Sequence, residues 1–145
     1  MYKHLLVPID GSKLSEKAVA RAVELAKATG GRITLLHVVP DYPVQVYAEG
    51  VSVGLVSRRE YAKAMKDEAT KLLDRAAAKI KGVSVATLQS MDNSPWEAIL
   101  AGAKKVKADT IVMASHGRRG LASLLLGSET TKVLTHSKLP VLVIR

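Results

Sequence analysis

Between Ala114 and Thr130 the chain reads Ala-Ser-His-Gly-Arg-Arg-Gly-Leu-Ala-Ser-Leu-Leu-Leu-Gly-Ser-Glu-Thr. Glycines stand at 117, 120 and 127, arginines at 118 and 119, and hydroxyls at 128 and 130. A glycine lets backbone N–H groups approach a ligand with no side chain in the way. A helix start adds unpaired N–H groups and the positive end of a dipole. Together these are the parts of a main-chain cradle for phosphate, with Arg118 and Arg119 supplying charge and Ser128 and Thr130 supplying hydroxyls. The same residues also suit a loop that needs glycine only for its turns, with Ser128 a plain helix cap. Local sequence leaves both readings open. The stretch is not a Walker A loop, because no Gly-Lys-Ser/Thr occurs at the right spacing, and no Gly-x-Gly-x-x-Gly follows the first strand.

The elements around this loop are legible from alternating apolar runs and helical patterns. His4 to Ile9 is nearly all apolar, as expected of a strand covered on both faces. Asp10-Gly11-Ser12 breaks it, and Ser12 caps a helix to about Thr29 that Gly30-Gly31 stops. Arg32 to Val39 reads as a second strand, and Val83 to about Ser90 as a third. Ser57 to about Lys81 reads as a long basic helix with a solvated face. Ser94-Pro95-Trp96-Glu97 predicts a helix start in which Glu97 completes a capping box. Asp109 to Ser115 is a fourth strand, Ser128 to about His136 a helix, and Leu139 to Ile144 a fifth strand. Pro40 to Val56 has no clear period and reads as a long loop. Strands alternating with helices predict a single α/β domain over 1–145, with an open parallel sheet and helices on both faces. In such sheets ligands sit beyond the carboxyl ends of strands where the order reverses. That rule singles out Asp10-Gly11-Ser12 and Ala114-Ser115-His116-Gly117.

The chain has 145 residues, no cysteine, no phenylalanine and one tryptophan. Its core must be aliphatic, and thiolate metal sites, disulfides and cysteine nucleophiles are excluded. A cytoplasmic setting fits, and no apolar run approaches the ~18 residues of a membrane span, so neither a leader nor a membrane partner is expected. Twenty-two Lys and Arg against 13 Asp and Glu give a net charge of +9 and favour anionic partners. The cations are spread along the helices and aromatics are few, so nucleic acid is not the expected partner. His37 reads as a core-edge residue, His116 as a loop residue and Trp96 as packing. Ser115 and His116 are adjacent, which is not how a serine nucleophile and its base are arranged, and no metal ligand set is spaced for binding.

The ordered set Val7-Pro-Ile-Asp-Gly-Ser12, His37-Val38, Ser115-His-Gly-Arg-Arg-Gly120, Leu126-Gly-Ser128 and Pro140-Val-Leu-Val143 resembles the universal stress protein family along nearly the whole length. The nucleotide-binding branch of that family carries glycine, two residues, glycine, nine residues, then Gly-Ser/Thr. Here Gly117, Gly127 and Ser128 keep that spacing. The resemblance implies an open five-stranded sheet of order 3-2-1-4-5 and a site for ATP, or ADP or AMP, across the ends of strands one and four. It implies that Pro8, Ile9 and Asp10 line the adenine and ribose side, with Asp10 taking a ribose hydroxyl. Val38 and Met113 would border the base. Ala114, Gly117 and Arg118 would lie near the ribose and phosphates, and Gly127, Ser128 and Thr130 would hold phosphate oxygens. It further implies a stress-response regulator with slow or absent ATP turnover and a homodimer formed through Pro140 to Ile144. The alternative is a dimeric adaptor that binds no nucleotide. Two positions depart from the pattern. Ala114 replaces the first glycine, and Glu129 stands where nucleotide binders carry valine. A triphosphate would be repelled by Glu129 unless magnesium intervenes or the side chain turns away.

Overall fold

The computed structural model describes residues 1–41, 57–117 and 126–145. Nine elements follow in chain order: β1 (His4–Pro8), α1 (Lys13–Thr29), β2 (Arg32–Val39), α2 (Arg58–Ala78), β3 (Ser84–Met91), α3 (Pro95–Val106), β4 (Thr110–Ala114), α4 (Ser128–His136) and β5 (Val141–Ile144). Beyond Asp41 the expected long loop falls outside the described residues, and so does Arg118. The strands form one sheet of order β3-β2-β1-β4-β5, all parallel. This is the order expected from the family resemblance. β1 lies between β2 and β4, with Val7 opposite Leu35 and Leu6 opposite Ile111. The chain therefore winds outward from β1 to β3, then crosses back to start again at β4. The reversal falls between β1 and β4.

Successive strand residues point to opposite faces, and both faces are filled with aliphatic side chains. On one face Leu5, Val7, Ile33, Leu35 and Val112 pack with Ala22 and Ala26 of α1 and Leu73 of α2. On the other, Leu6, Leu36, Ile111 and Met113 pack with Ile99 and Ala103 of α3 and Val133 of α4. Leu5, Leu6, Ile33, Leu35, Leu36, Leu73 and Ile111 are fully buried. Each such side chain contributes about 1.5–3 kcal/mol of transfer free energy, and this two-sided core keeps the strand ends in fixed register.

Helix starts follow the expected chemistry in two cases and depart from it in a third. The Ser12 hydroxyl accepts the Ser15 amide at 3.1 Å. Ser57 and Glu60 form a reciprocal capping box at the head of α2. At α3 the expected box does not form: the Ser94 side chain makes no cap bond and Glu97 is exposed. Asp92 Oδ1 instead accepts the Ser94 amide at 2.8 Å, and Glu129 Oε2, from another helix, accepts the Trp96 amide at 2.9 Å. The carboxylate reaching this helix start thus comes from α4 rather than from three residues along the same helix. In α4 the cap position is Gly127, so Ser128 is the first helical residue and not the cap.

Candidate functional site

Beyond the carboxyl ends of β1, β2, β3 and β4 the chain leaves a hollow of about 680 Å³, within the range of small-molecule sites. Its inner wall is apolar: Ile9, Leu36, Val38, Ile99 and Met113. Its outer wall is polar: Asp10 on one side, Ser128, Glu129 and Thr130 on another, and Asp92 with Asn93 on a third. Of the residues picked out from the sequence, Pro8, Ile9, Asp10, Val38, Met113, Ala114, Gly117, Gly127, Ser128, Glu129 and Thr130 all border this one space. Arg118 lies outside the described residues.

Asp10 leaves β1 and turns at once. Its Oδ1 accepts the Ser12 amide at 2.9 Å, which closes the loop into α1. The Ile9 carbonyl is bound by His37 Nδ1 at 2.7 Å, so His37 pins the end of β1 from the neighbouring strand. The other carboxylate oxygen of Asp10 faces Gly117. A Cβ built on Gly117 would lie 2.8 Å from Asp10 Oδ2. A side chain at Gly117 would therefore push the Asp10 carboxylate aside.

Gly127 answers a different need. Its amide donates to the Ser115 carbonyl at 2.7 Å. A Cβ there would meet the His116 Cα at 3.1 Å and the Ser115 oxygen at 3.2 Å. The chain therefore leaves β4 and returns to within backbone contact of the same point, which brings the first turn of α4 to the β4 end. Among the described residues no side chain caps α4, so the amides that follow Gly127 open the helix beside the hollow. Thr130 departs from its expected role. Its hydroxyl donates to the buried Ala114 carbonyl at 3.0 Å and the residue is 2% exposed. That hydroxyl ties α4 to β4 and is not available to donate to phosphate.

Glu129 is half-buried at the junction of α3 and α4. Oε2 accepts the Trp96 amide, and Oε1 lies 3.2 Å from the exposed Lys132 ammonium. The Trp96 ring packs on His136, centroid to centroid 4.5 Å, which holds the two helix ends together. Among the described residues no group of three or more His, Asp or Glu side chains converges to hold a metal, so they offer no dedicated magnesium site. Nor is any described helix long and apolar enough to cross a membrane.

The family model for the universal stress protein family matches residues 1–145. The chain belongs to the universal stress protein family. It is 36% identical over 146 residues to universal stress protein MJ0531 of Methanocaldococcus jannaschii, covering all of this chain and 83% of that one. Universal stress protein UspA from Lactobacillus plantarum superposes with a TM-score of 0.80 at 26% identity, covering 99% of this chain and 98% of that one. A universal stress protein in complex with cAMP shares the fold, with a TM-score of 0.67 at 24% identity over 99% and 97% of the two chains.

Within this universal stress protein fold, part of the outer wall comes from residues that no sequence motif marks. Asp92 and Asn93 follow β3, and Pro40 follows β2. The strand-end rule that singled out residues after β1 and β4 applies equally to β2 and β3, because all four strands run parallel and end on the same side. Residue types there carry no motif, so only the topology could have flagged them.

Proposed function

We propose that this universal stress protein binds an adenine nucleotide in the hollow at the ends of β1 and β4. The supporting observation is that an apolar slot and an uncapped helix start open into one space beside the Asp10 carboxylate. The base lies in the slot between Val38 and Met113, and Pro8 and Ile9 form its floor. Asp10 accepts from a ribose hydroxyl. The phosphate sits at the amides of Ser128 and Glu129, where the helix dipole favours negative charge; the Gly127 amide, expected to hold phosphate, is already given to the Ser115 carbonyl. One universal stress protein of this fold carries cAMP. Another, from Archaeoglobus fulgidus, is a complex with dAMP, with a TM-score of 0.61 at 20% identity. In this reading the nucleotide is a bound signal of a cytoplasmic stress-response regulator, with slow or absent turnover.

β5 closes one edge of the sheet, and its Leu142 is 41% exposed. We propose that a second copy covers this edge through Pro140 to Ile144. Sedimentation velocity checks this: Leu142→Asp turns a dimer into a monomer.

The nucleotide reading is tested by denaturing the purified protein, identifying released small molecules by mass spectrometry, and titrating the stripped protein with AMP, ADP and ATP by calorimetry. Saturable binding of at least one, with a rise in melting temperature as its concentration exceeds Kd, is the expected result. No heat and no thermal shift with any of the three sinks it and leaves an adaptor that works through protein partners.

A further inference from the structure

Two helix starts converge on the hollow, and they are not equivalent. The start of α4 is uncapped. The start of α3 is already held by carboxylates: Asp92 Oδ1 accepts the Ser94 amide and Glu129 Oε2 accepts the Trp96 amide. The positive end of α3 is therefore spent on the protein's own acids, and both acids line the hollow. With Asp10, three carboxylates border it, and among the described residues no Lys or Arg does. Lys132 lies 3.2 Å from Glu129 Oε1, but at 48% side-chain exposure it screens that charge only weakly.

We infer that Glu129 makes this pocket select a nucleotide with a single phosphate group over one with a triphosphate tail. The inference rests on the adenine-nucleotide reading above. A phosphate seated at Ser128 and Glu129 meets the amides of an uncapped helix start. A tail growing from it towards α3 meets Glu129 and Asp92 where a cationic or uncapped helix start would otherwise receive it. The like charges repel across a partly desolvated gap, where the effective dielectric is well below that of water. A valine in place of Glu129 would leave the Trp96 amide open to the ligand, turning a repulsive wall into a second anion subsite.

The test is competition calorimetry on the wild-type protein and on Glu129→Gln, which keeps the side-chain shape and an acceptor for Trp96 but removes the charge. In EDTA the wild type binds AMP at least about 10-fold more tightly than ATP. Glu129→Gln tightens ATP about 5–10-fold more than it tightens AMP. Its melting temperature is measured alongside, to show that the variant is folded. ATP bound as tightly as AMP by the wild type, or an AMP/ATP ratio unchanged in Glu129→Gln, overturns the selectivity while leaving the nucleotide site standing. Failure of every nucleotide to bind the wild type removes the site itself.

Discussion

At the amino ends of β1 and β4 the Asp109 carboxylate accepts the amides of Lys3 and His4 at 2.8 and 3.2 Å, and the Thr110 hydroxyl at 2.9 Å. His4 is 8% exposed and bonded through both ring nitrogens, to Thr34 at 2.8 Å and to Arg32 at 3.1 Å. At the carboxyl ends, a few residues along the same strands, glycine replaces side chains, a helix starts uncapped and a hollow remains. One end of the sheet is closed by its own polar groups, and the other leaves donors and acceptors for something else. Parallel topology explains why the difference has this direction. Helices return to the amino ends with their carbonyls and last-turn basic residues, and enter from the carboxyl ends with their leading amides, of which those of α4 have no side-chain cap among the described residues.

Breaking the closed end has the largest expected effect, and only on stability. Asp109→Ala leaves two amides and a buried hydroxyl short of an acceptor, at a cost of about 3 kcal/mol. Thermal melting is expected to drop by about 9 °C for a chain of this size. Nucleotide affinity of the folded fraction stays within about 2-fold of wild type. A Tm within about 2 °C of wild type would mean that water replaces the carboxylate without loss, and that the two ends are less different than their bonding implies.

Breaking the open end reverses the pattern. Gly117→Val drives its Cβ into Asp10, whose Oδ2 would lie only 2.8 Å away. The carboxylate that faces the ribose is displaced, and nucleotide binding weakens by about 100-fold, or about 2.7 kcal/mol. Stability falls by about 1 kcal/mol, because displacing the carboxylate weakens the part-buried turn bond to Ser12. Calorimetry and denaturant melts on the same preparation separate the two numbers. A large stability loss with unchanged affinity would assign Gly117 to folding alone.

Thr130 links the two behaviours. Thr130→Val keeps the shape but leaves the buried Ala114 carbonyl without its hydroxyl donor. The expected cost is about 1–2 kcal/mol of stability. Because that bond holds the first turn of α4 against β4, a few-fold loss of nucleotide affinity accompanies it. An affinity loss as large as that of Gly117→Val would instead make the hydroxyl a direct ligand contact.

These roles were unequally visible in the sequence. β1, β2 and β4 were legible because each is a largely apolar run between turn residues, and burial on both faces demands such runs; the edge strand β3 was legible only from its partial alternation. The pocket residues around Asp10, Ala114 and Gly127 were legible because topology places strand ends together. The bonds made by Glu129 and Thr130 were not. Each reaches a residue 16 to 33 positions away across the packing of α4 on its neighbours, and local pattern carries no signal for that. Ser94-Pro95-Trp96-Glu97 looked self-sufficient as a capping box, but Asp92 takes the Ser94 amide that Glu97 would have accepted, and Glu129 of α4 takes the Trp96 amide. The approach of the Asp10 carboxylate to Gly117 was hidden for the same reason, because the two are distant in sequence.

The smallest effect sharpens the comparison through pH. Burial of the His4 ring, with the Arg32 guanidinium beside it, holds its pKa below the ordinary histidine value, and Asp109 opposes this in part. Arg32 can only donate, so Nδ1 accepts from it and Nε2 carries the proton that goes to Thr34. Protonating Nδ1 would break that contact and set two cations together. The unfolded chain therefore binds a proton near pH 6.5 that the folded chain refuses. Stability is at its full value above that pH and declines as pH falls below it, until the folded ring also protonates. Asp109 acts in the same direction at lower pH: burial opposes its ionisation, but the amides of Lys3 and His4 and the Thr110 hydroxyl win and hold its carboxyl below the usual value. Its contribution is present above the ordinary aspartate range and lost as acid protonates it. Urea melts between pH 7.5 and 5 on wild type and His4→Gln read the first step alone. The wild type loses stability over that interval faster than His4→Gln, which keeps a donor for Thr34 but cannot titrate. Parallel pH profiles for the two proteins would show that the closed end does not exclude the proton.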